Sequence, residues 1–386
     1  MRITIVMGFF LPVPPLAGGA TEKTWHLLSQ EFAARGHEVT VVSRRWPGLP
    51  DSEVSRGVRH LRLPGHSHTA GLGRNLWLDL CWSLRAGRAL PPADITIANC
   101  LALPAWLGWR PGRTGRLVLL PGRMPKGQFR VYRRVDRVLA VSSAVREAVL
   151  AENPALAPRI RVVGYPIDWS GLSGSPRAAG DGAPVTIGFV GRVHREKGLE
   201  LLAAAVTRLS GQADLPPWRL LLCGPTEVCQ GGSGPEFAAG LDRQLGAVLP
   251  AERYQRLAPE FSAEGLAAIY RQIDIFCYPS LAARGETFGV AVAEAMAAGA
   301  VPVVSALRNF SDFVQAGVNG IVFDHSAPDA AARLAGALAD LIRDRARRER
   351  LAGAAQVGVR GFDYPRMADR LLEDFSTLLP PSDRRT

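Results

Sequence analysis

The chain has 386 residues, of which 47% are hydrophobic, 21% charged and 7% aromatic. This length predicts two large domains, and this composition excludes a disordered, coiled-coil or collagen-like chain. Lys and Arg outnumber Asp and Glu by 46 to 35, and the excess lies in residues 1–170, which hold 23 basic against 11 acidic residues.

The five cysteines form no CxxC pair, which argues against a zinc cage or a complete disulfide framework. A cytoplasmic location fits this cysteine usage. No segment approaches the roughly 18 uninterrupted apolar residues of a membrane span, so we expect any membrane contact to be peripheral, at the inner face of the membrane.

The first part of the chain alternates short β-rich runs with helical periodicity. The pattern predicts strands at residues 2–7, 38–43, 58–63, 94–98, 116–120, 137–141 and 159–163, and helices at 20–35, 74–90 and 143–151. Strands joined through helices run parallel, so we predict a doubly wound, Rossmann-like α/β domain over residues 1–166. A Gly-, Pro- and Ser-rich segment, residues 164–184, predicts an interdomain linker.

A second βα series predicts another doubly wound domain, residues 167–364. Its predicted strands are 185–190, 218–223, 253–257, 274–277, 301–304 and 320–323, and its predicted helices are 196–209, 290–298, 328–343 and 345–357. A last helix is predicted near 365–379, and we expect residues 365–386 to pack back on the first domain. Parallel sheets bind ligands at the carboxyl ends of their strands, so we expect a central cleft facing both domains.

Residues 106–137 form a basic segment in which only Asp136 is acidic. Trp106, Trp109, Phe129 and Tyr132 are interleaved with nine cations, which are Arg110, Arg113, Arg116, Arg123, Lys126, Arg130, Arg133, Arg134 and Arg137. Such a segment fits a solvated surface, or a surface for anionic lipid or a phosphorylated acceptor. Nucleic acid, which is also bound through clustered phosphates, is the least favoured partner.

Two glycine-containing turns have the composition of phosphate-binding loops. Gly18 and Gly19 precede the first helix, where backbone N–H groups at a helix start suit an anion. The stretch GFVGRVHREKG, residues 188–198, follows the first strand of the second domain and includes Gly191. Its Arg192 and Lys197 are expected to converge on one diphosphate. The spacing is not GxGxxG, which disfavours an ordinary NAD site.

The stretch RGETFGVAVAEAMAAG, residues 284–299, carries two carboxylates. The helix after Gly289 is apolar on every side except at Glu294, and a lone buried carboxylate is costly unless partners satisfy it. The hydroxyls of a ribose are suitable partners, and so is an Arg within the core. Glu286, at the mouth of this helix, is placed to accept hydrogen bonds from sugar hydroxyls, and the N–H groups of Phe288 and Gly289 are placed to face phosphate.

Taken in this order along almost the whole chain, these motifs resemble the GT-B retaining glycosyltransferases of family four. The resemblance implies two Rossmann-like domains, an acceptor-binding first domain and a second domain that binds a nucleotide sugar without a metal ion or other cofactor. It implies that Arg192 and Lys197 bind the donor diphosphate and that Glu286 binds the transferred sugar. It further implies donor contacts at Gly18, Gly19, Gly191, Thr287, Phe288, Gly289 and Glu294, with Arg192, Lys197 and Glu286 as the catalytic group.

The sequence departs from the family pattern at two places, one of which is Tyr165-Pro166 in place of the family's usual Asn-Gly before the linker. The family often carries a His after the strand predicted at 116–120, where this chain has Pro121. We expect Arg123 or Lys126 to replace the lost polar group toward the acceptor.

The donor base and the acceptor stay open. UDP-sugar is the first choice of donor, then GDP- and ADP-sugar, and the acceptor is a sugar, a sugar phosphate or a lipid-linked molecule. Two alternatives remain: a GT-B-like epimerase of nucleotide sugars, and a non-catalytic basic protein that binds membrane or nucleic acid.

Overall fold

The computed structural model describes residues 1–69, 71–107, 114–174 and 182–380. The chain divides into two compact units. Unit 1 comprises Met1–Pro166 together with Tyr364–Thr386, and unit 2 comprises Ile167–Asp363. Each unit is organised around one sheet with helices between its strands, which confirms the prediction of two parallel-sheet, Rossmann-like α/β units.

Unit 1 contains an eight-stranded sheet of order β3-β4-β2-β1-β5-β6-β7-β8, parallel except that β3 pairs antiparallel with β4. The strands are β1 (Arg2–Val6), β2 (Glu38–Arg44), β3 (Ser52–Ser55), β4 (Val58–Leu63), β5 (Ile95–Ala98), β6 (Arg116–Leu119), β7 (Arg137–Ala140) and β8 (Ile160–Val162). The helices are α1 (Ala20–Ala34), α2 (Leu72–Ala89), α3 (Ala102–Leu107), α4 (Ser143–Glu152) and, from the end of the chain, α12 (Tyr364–Leu378).

The last helix, α12, packs on α1 within unit 1. Phe375 of α12 meets Phe32 edge to face at 6.1 Å between ring centroids, and both side chains are buried. Arg35, just after α1, donates to Asp369 at 2.6 Å. Burial of two aromatic rings makes this contact part of the core of unit 1.

Unit 2 contains a six-stranded parallel sheet of order β11-β10-β9-β12-β13-β14. The strands are β9 (Val185–Val190), β10 (Trp218–Cys223), β11 (Tyr254–Leu257), β12 (Ile275–Tyr278), β13 (Val301–Ser305) and β14 (Ile321–Phe323). The helices are α5 (Trp169–Leu172), α6 (Leu199–Ser210), α7 (Pro235–Gly246), α8 (Ala263–Tyr270), α9 (Val290–Ala297), α10 (Ala330–Arg343) and α11 (Arg345–Val359).

Two sequence predictions are corrected by local packing. The helix predicted from residue 196 begins only at Leu199, because Gly198 takes a left-handed φ of 70° after a 3₁₀ turn. The predicted linker is too long, since α5 lies inside it and belongs to unit 2. There, Trp169 donates its indole N–H to the carbonyl of Gln356 at 3.1 Å. Residues 175–181 of the predicted linker lie outside the described residues.

Candidate functional site

The loop between β9 and α6 is held against the end of β10 by backbone contacts. Gly191 N–H donates to the carbonyl of Cys223 and Val193 N–H to that of Pro225, both at 2.9 Å. A Cβ on Gly224 would lie 1.8 Å from the Gly191 carbonyl oxygen, so only glycine allows this approach. The loop that carries Arg192 and Lys197 is therefore fixed at the carboxyl edge of the unit 2 sheet.

Lys197 and Glu286 form a buried ion pair at this edge. The Lys197 Nζ lies 2.7 Å from the Glu286 Oε2, and the two side chains are only 6% and 10% exposed. The residues are far apart in sequence, but Lys197 follows β9 and Glu286 follows β12, and these strands are neighbours. Burial of two opposite charges is costly unless each is well hydrogen-bonded, so this pair depends on its surroundings.

Two hydroxyl groups from the end of β12 complete the surroundings of Glu286. Ser280 donates to the carboxylate at 3.0 Å, and the Tyr278 hydroxyl lies 3.5 Å from it. The Lys197 ammonium also lies over the Tyr278 ring, 5.3 Å from its centroid. Burial, and then the neighbouring Glu286 carboxylate, raises the pKa of Tyr278, so this hydroxyl stays protonated and available as a donor.

Gly198 is required for this arrangement. A Cβ there would lie 1.9 Å from the carbonyl oxygen of Pro279, the residue before Ser280. A second contact joins the same two loops, because Leu281 N–H donates to the Glu196 carbonyl at 2.8 Å. These two backbone contacts place Lys197 beside Glu286.

Arg192 is exposed and has different partners from Lys197. Its guanidinium donates to the Gly231 carbonyl at 2.8 Å and to the Glu196 carboxylate at 2.6 Å. Arg192 and Lys197 thus have no described partner in common. Their convergence on one diphosphate stays a prediction. Arg192 nevertheless presents a fixed cation on the same loop.

Glu294 receives a hydrogen bond from a tyrosine. The Tyr270 hydroxyl donates to its Oε2 at 2.9 Å, and Glu294 itself is half-buried. Burial, and then the Glu294 carboxylate, raises the pKa of Tyr270, which therefore remains a neutral donor. The sequence predicts ribose hydroxyls or a core Arg as partners of Glu294, and the structure describes the Tyr270 hydroxyl as one partner.

The start of α9 is shaped by aromatic packing. Phe288 is buried against Phe313 at 4.7 Å and Phe362 at 5.2 Å between ring centroids. Gly289 caps the helix with a φ of 98° and has no room for a Cβ, which would lie 2.5 Å from Phe310. Thr287, half-buried, lies between Glu286 and this cap. The donor roles of Thr287, Phe288 and Gly289 stay predictions.

In unit 1 the predicted glycine turn lies at the start of α1. Gly18 and Gly19 have φ values of 78° and 100°, and Gly19 is the N-cap of α1. Glu22, in the first turn of α1, is buried and its carboxylate lies close to Gly19. Burial raises the pKa of Glu22, while Arg123 opposes that shift. Sequence reasoning did not select Glu22, although an acidic residue directly after a glycine pair was the available signal.

The expected acceptor cations are exposed, whereas two aromatic residues of the basic segment are buried. Arg123 and Lys126 follow β6 with exposed side chains. Phe129 and Tyr132 are buried, with their rings 5.2 Å apart, and Tyr132 donates to the Leu101 carbonyl at 2.7 Å. These two rings are apolar and pack into the core, so they offer no aromatic surface to a partner. Trp109, Arg110 and Arg113 lie outside the described residues.

The described residues hold neither a metal-binding cluster nor a membrane-spanning helix. In the ranges that the structure describes, no group of three or more His, Cys, Asp or Glu side chains is placed to hold a metal ion. Within the same ranges, no helix is both long enough and apolar enough to cross a membrane.

Two Rossmann-like units in one chain, with a glycine-containing loop and paired charges at the strand ends of the second, fit the GT-B class of glycosyltransferases. Residues 17–170 match the family model described as Glycosyltransferase Family 4, and residues 178–357 match that of glycosyl transferases group 1. The chain belongs to this family of glycosyltransferases.

The chain is similar to curated proteins over most of its length. It is 28% identical over 343 residues to D-inositol 3-phosphate glycosyltransferase of Salinispora tropica, covering 84% of this chain and 66% of that relative. It is 26% identical over 411 residues to GDP-mannose-dependent alpha-mannosyltransferase of Mycolicibacterium smegmatis, covering 98% of each. Among solved structures, HepE of Anabaena in complex with UDP aligns with a TM-score of 0.73 at 17% identity, covering 98% of this chain and 100% of the other.

Proposed function

We propose that this protein transfers a hexose from a nucleoside diphosphate sugar to a sugar, sugar phosphate or lipid-linked acceptor, with retained configuration and without a metal ion. UDP-sugar is the first choice of donor, followed by GDP- and ADP-sugar. The observation that carries the proposal is the buried pair of Lys197 and Glu286 on neighbouring strand ends. The names of the similar proteins support a nucleotide-linked donor, since one relative is GDP-mannose-dependent and one structure contains UDP.

In the proposed mechanism, Lys197 and Arg192 stabilise the charge that develops on the departing diphosphate. Cations fixed before the reaction stabilise such charge without reorganisation. An ammonium has three N–H groups, so Lys197 can keep its bond to Glu286 while donating to a phosphate oxygen. The departing phosphate takes the acceptor proton, and the mechanism needs no protein nucleophile.

The two carboxylates have separate proposed roles. Glu286 accepts hydrogen bonds from hydroxyls of the transferred sugar, with Ser280 and Lys197 holding it in place. Glu294 accepts from the ribose. Exposed Arg123 and Lys126 of unit 1 are the proposed contacts to a negatively charged acceptor.

The first experiment measures thermal stabilisation by UDP, GDP, ADP and their sugars in the presence of EDTA. A ligand that binds only the folded protein raises its melting temperature by mass action. We expect one nucleotide to protect the wild type and the Lys197→Ala and Glu294→Ala variants to lose that protection. An Arg195→Ala variant, which alters an exposed cation of the same loop, is the matched control and keeps it. Absence of protection by every nucleotide would reject the proposal.

The second experiment separates transfer from epimerisation. The donor selected by thermal stabilisation is incubated alone and with candidate acceptors, and the products are followed by proton NMR. The transferase proposal predicts no isomeric donor without acceptor, and a product whose anomeric configuration matches that of the donor. An isomeric nucleotide sugar formed without acceptor would favour the epimerase, and an inverted product would reject retention.

A further inference from the structure

We propose that the outer face of α2 docks on an anionic lipid surface. This face consists of Leu72, Leu76, Trp77 and Leu80, whose exposed fractions are 76%, 48%, 64% and 39%. Leu72, Leu76 and Leu80 are spaced four residues apart, so they form one stripe along the helix, and Trp77 lies beside it. Four large apolar side chains exposed together on one helix form a continuous patch, unlike a scattered surface residue.

Buried side chains of α2, Asp79 and Trp82 among them, hold this helix to unit 1. Trp82 is buried and donates to the Met7 carbonyl at 2.8 Å. The buried Asp79 carboxylate accepts from the backbone N–H groups of Leu101 and Ala102, at 3.2 and 2.7 Å. These contacts do not involve the four exposed apolar side chains.

The charges on α2 favour an anionic partner. Arg74 and Arg88 are exposed on this helix, and its one acidic residue, Asp79, is buried and used in backbone contacts. An exposed face of Leu and Trp flanked by Arg, without acidic side chains, is the pattern of a helix that lies in a lipid interface. A second copy of the same face would bring like charges together, which disfavours self-association.

The sheet topology places further basic and apolar residues at the same edge. Exposed Leu16, Leu101 and Val131 follow the carboxyl ends of β1, β5 and β6, and α2 begins after the carboxyl end of β4. The segment after β6 also carries exposed cations, and within the described ranges none of them forms an ion pair: Arg123, Lys126, Arg130, Arg133 and Arg134. Each basic residue near an anionic leaflet adds attraction that salt weakens.

The test is flotation of the full-length protein with phosphatidylcholine vesicles that contain or lack phosphatidylglycerol. The wild type is expected to float with the anionic vesicles, and added salt is expected to weaken the binding. A Leu76→Ser/Trp77→Ser variant is expected to lose binding by about tenfold or more. A Val54→Ser/Val162→Ser variant, which alters two exposed apolar residues away from α2, is the matched control and binds like the wild type.

The readout does not depend on sugar transfer, so failure of the proposed enzymatic function leaves it intact. Melting curves of both variants confirm that each is folded. Equal binding to neutral and anionic vesicles, no binding by the wild type, or unchanged binding of the Leu76→Ser/Trp77→Ser variant would each overturn the proposal. Lipid-free sedimentation that shows a wild-type dimer and a monomeric variant would instead identify this face as an interface between copies.

Discussion

Removal of the Lys197 ammonium tests both the buried ion pair and its proposed role. Lys197→Ala leaves the Glu286 carboxylate buried without its cation, and such a loss costs about 3–5 kcal/mol. Ser280 and Tyr278 still face the carboxylate, so we expect the lower end, about 3 kcal/mol. For a unit of this size that corresponds to a fall in melting temperature of roughly 6–12 °C.

A double variant separates stability from nucleotide binding. Lys197→Met with Glu286→Gln removes both charges and keeps an amide that Ser280 can reach, so it should recover at least half of the lost stability. Side chains in direct contact couple by about 0.5–3 kcal/mol in such cycles, and a buried pair belongs at the upper end. The double variant should still show no nucleotide protection, because it lacks both proposed donor contacts. The assay is thermal melting of the wild type, the Lys197→Met and Glu286→Gln single variants and the double variant, each with and without the selected nucleotide.

An exposed pair that joins the same loop to the first turn of α6 provides the control. Arg195 and Glu200 are 64% and 57% exposed, and removal of such a pair costs less than about 1 kcal/mol. A Lys197→Ala variant no less stable than Arg195→Ala would refute the energetic argument. Nucleotide protection of the double variant would refute the proposed binding role of Lys197 and Glu286. It would not affect the energetic argument about the ion pair.

Three further predictions concern other parts of the molecule. Burial, and then the charge of Arg62, lowers the pKa of His60 from 6.5 to about 4. As the pH falls, the unfolded chain therefore takes up the proton before the folded protein does. About 3 kcal/mol of stability that is present above pH 6.5 is lost as the pH falls to 4. Urea unfolding should show this slope in the wild type and a flatter one in His60→Phe. Gly289→Ala, at a left-handed φ, should cost about 1–3 kcal/mol by the same measurement. Arg123→Ala/Lys126→Ala should raise the KM for the acceptor and leave nucleotide protection unchanged; an unchanged KM and turnover would remove these residues from the acceptor site.

Several buried strands were predictable because apolar residues either fill them or alternate along them. The predicted bounds of β4, β9 and β10 agree with those in the structure, since each run is bounded by polar, Gly or Pro residues. β3 was missed because Ser52–Ser55 is a short, mostly polar edge strand with no apolar alternation. α7 and α8 were not predicted by position, although a doubly wound unit requires helices between its strands.

Residue types at the candidate site were predictable, but their partners were not. Lys197 and Glu286 were each selected from a local motif. Their pairing depends on the strand order β10-β9-β12, in which the chain returns to the other side of β9. No local pattern encodes that return, and the sequence therefore predicted two ligand contacts where the structure also has an internal ion pair.

The hydrogen bond from Tyr270 to Glu294 changes what a Glu294 variant tests. The Tyr270 hydroxyl is buried, and a buried donor without an acceptor costs about 1–3 kcal/mol. Because Glu294 accepts this bond, Glu294→Ala alters the core as well as any ribose contact, and lost nucleotide protection alone is ambiguous. Glu294→Gln keeps an oxygen that can accept from Tyr270 and removes only the charge. Loss of protection with an unchanged melting temperature of the free Gln variant is therefore the result that assigns the carboxylate to the donor.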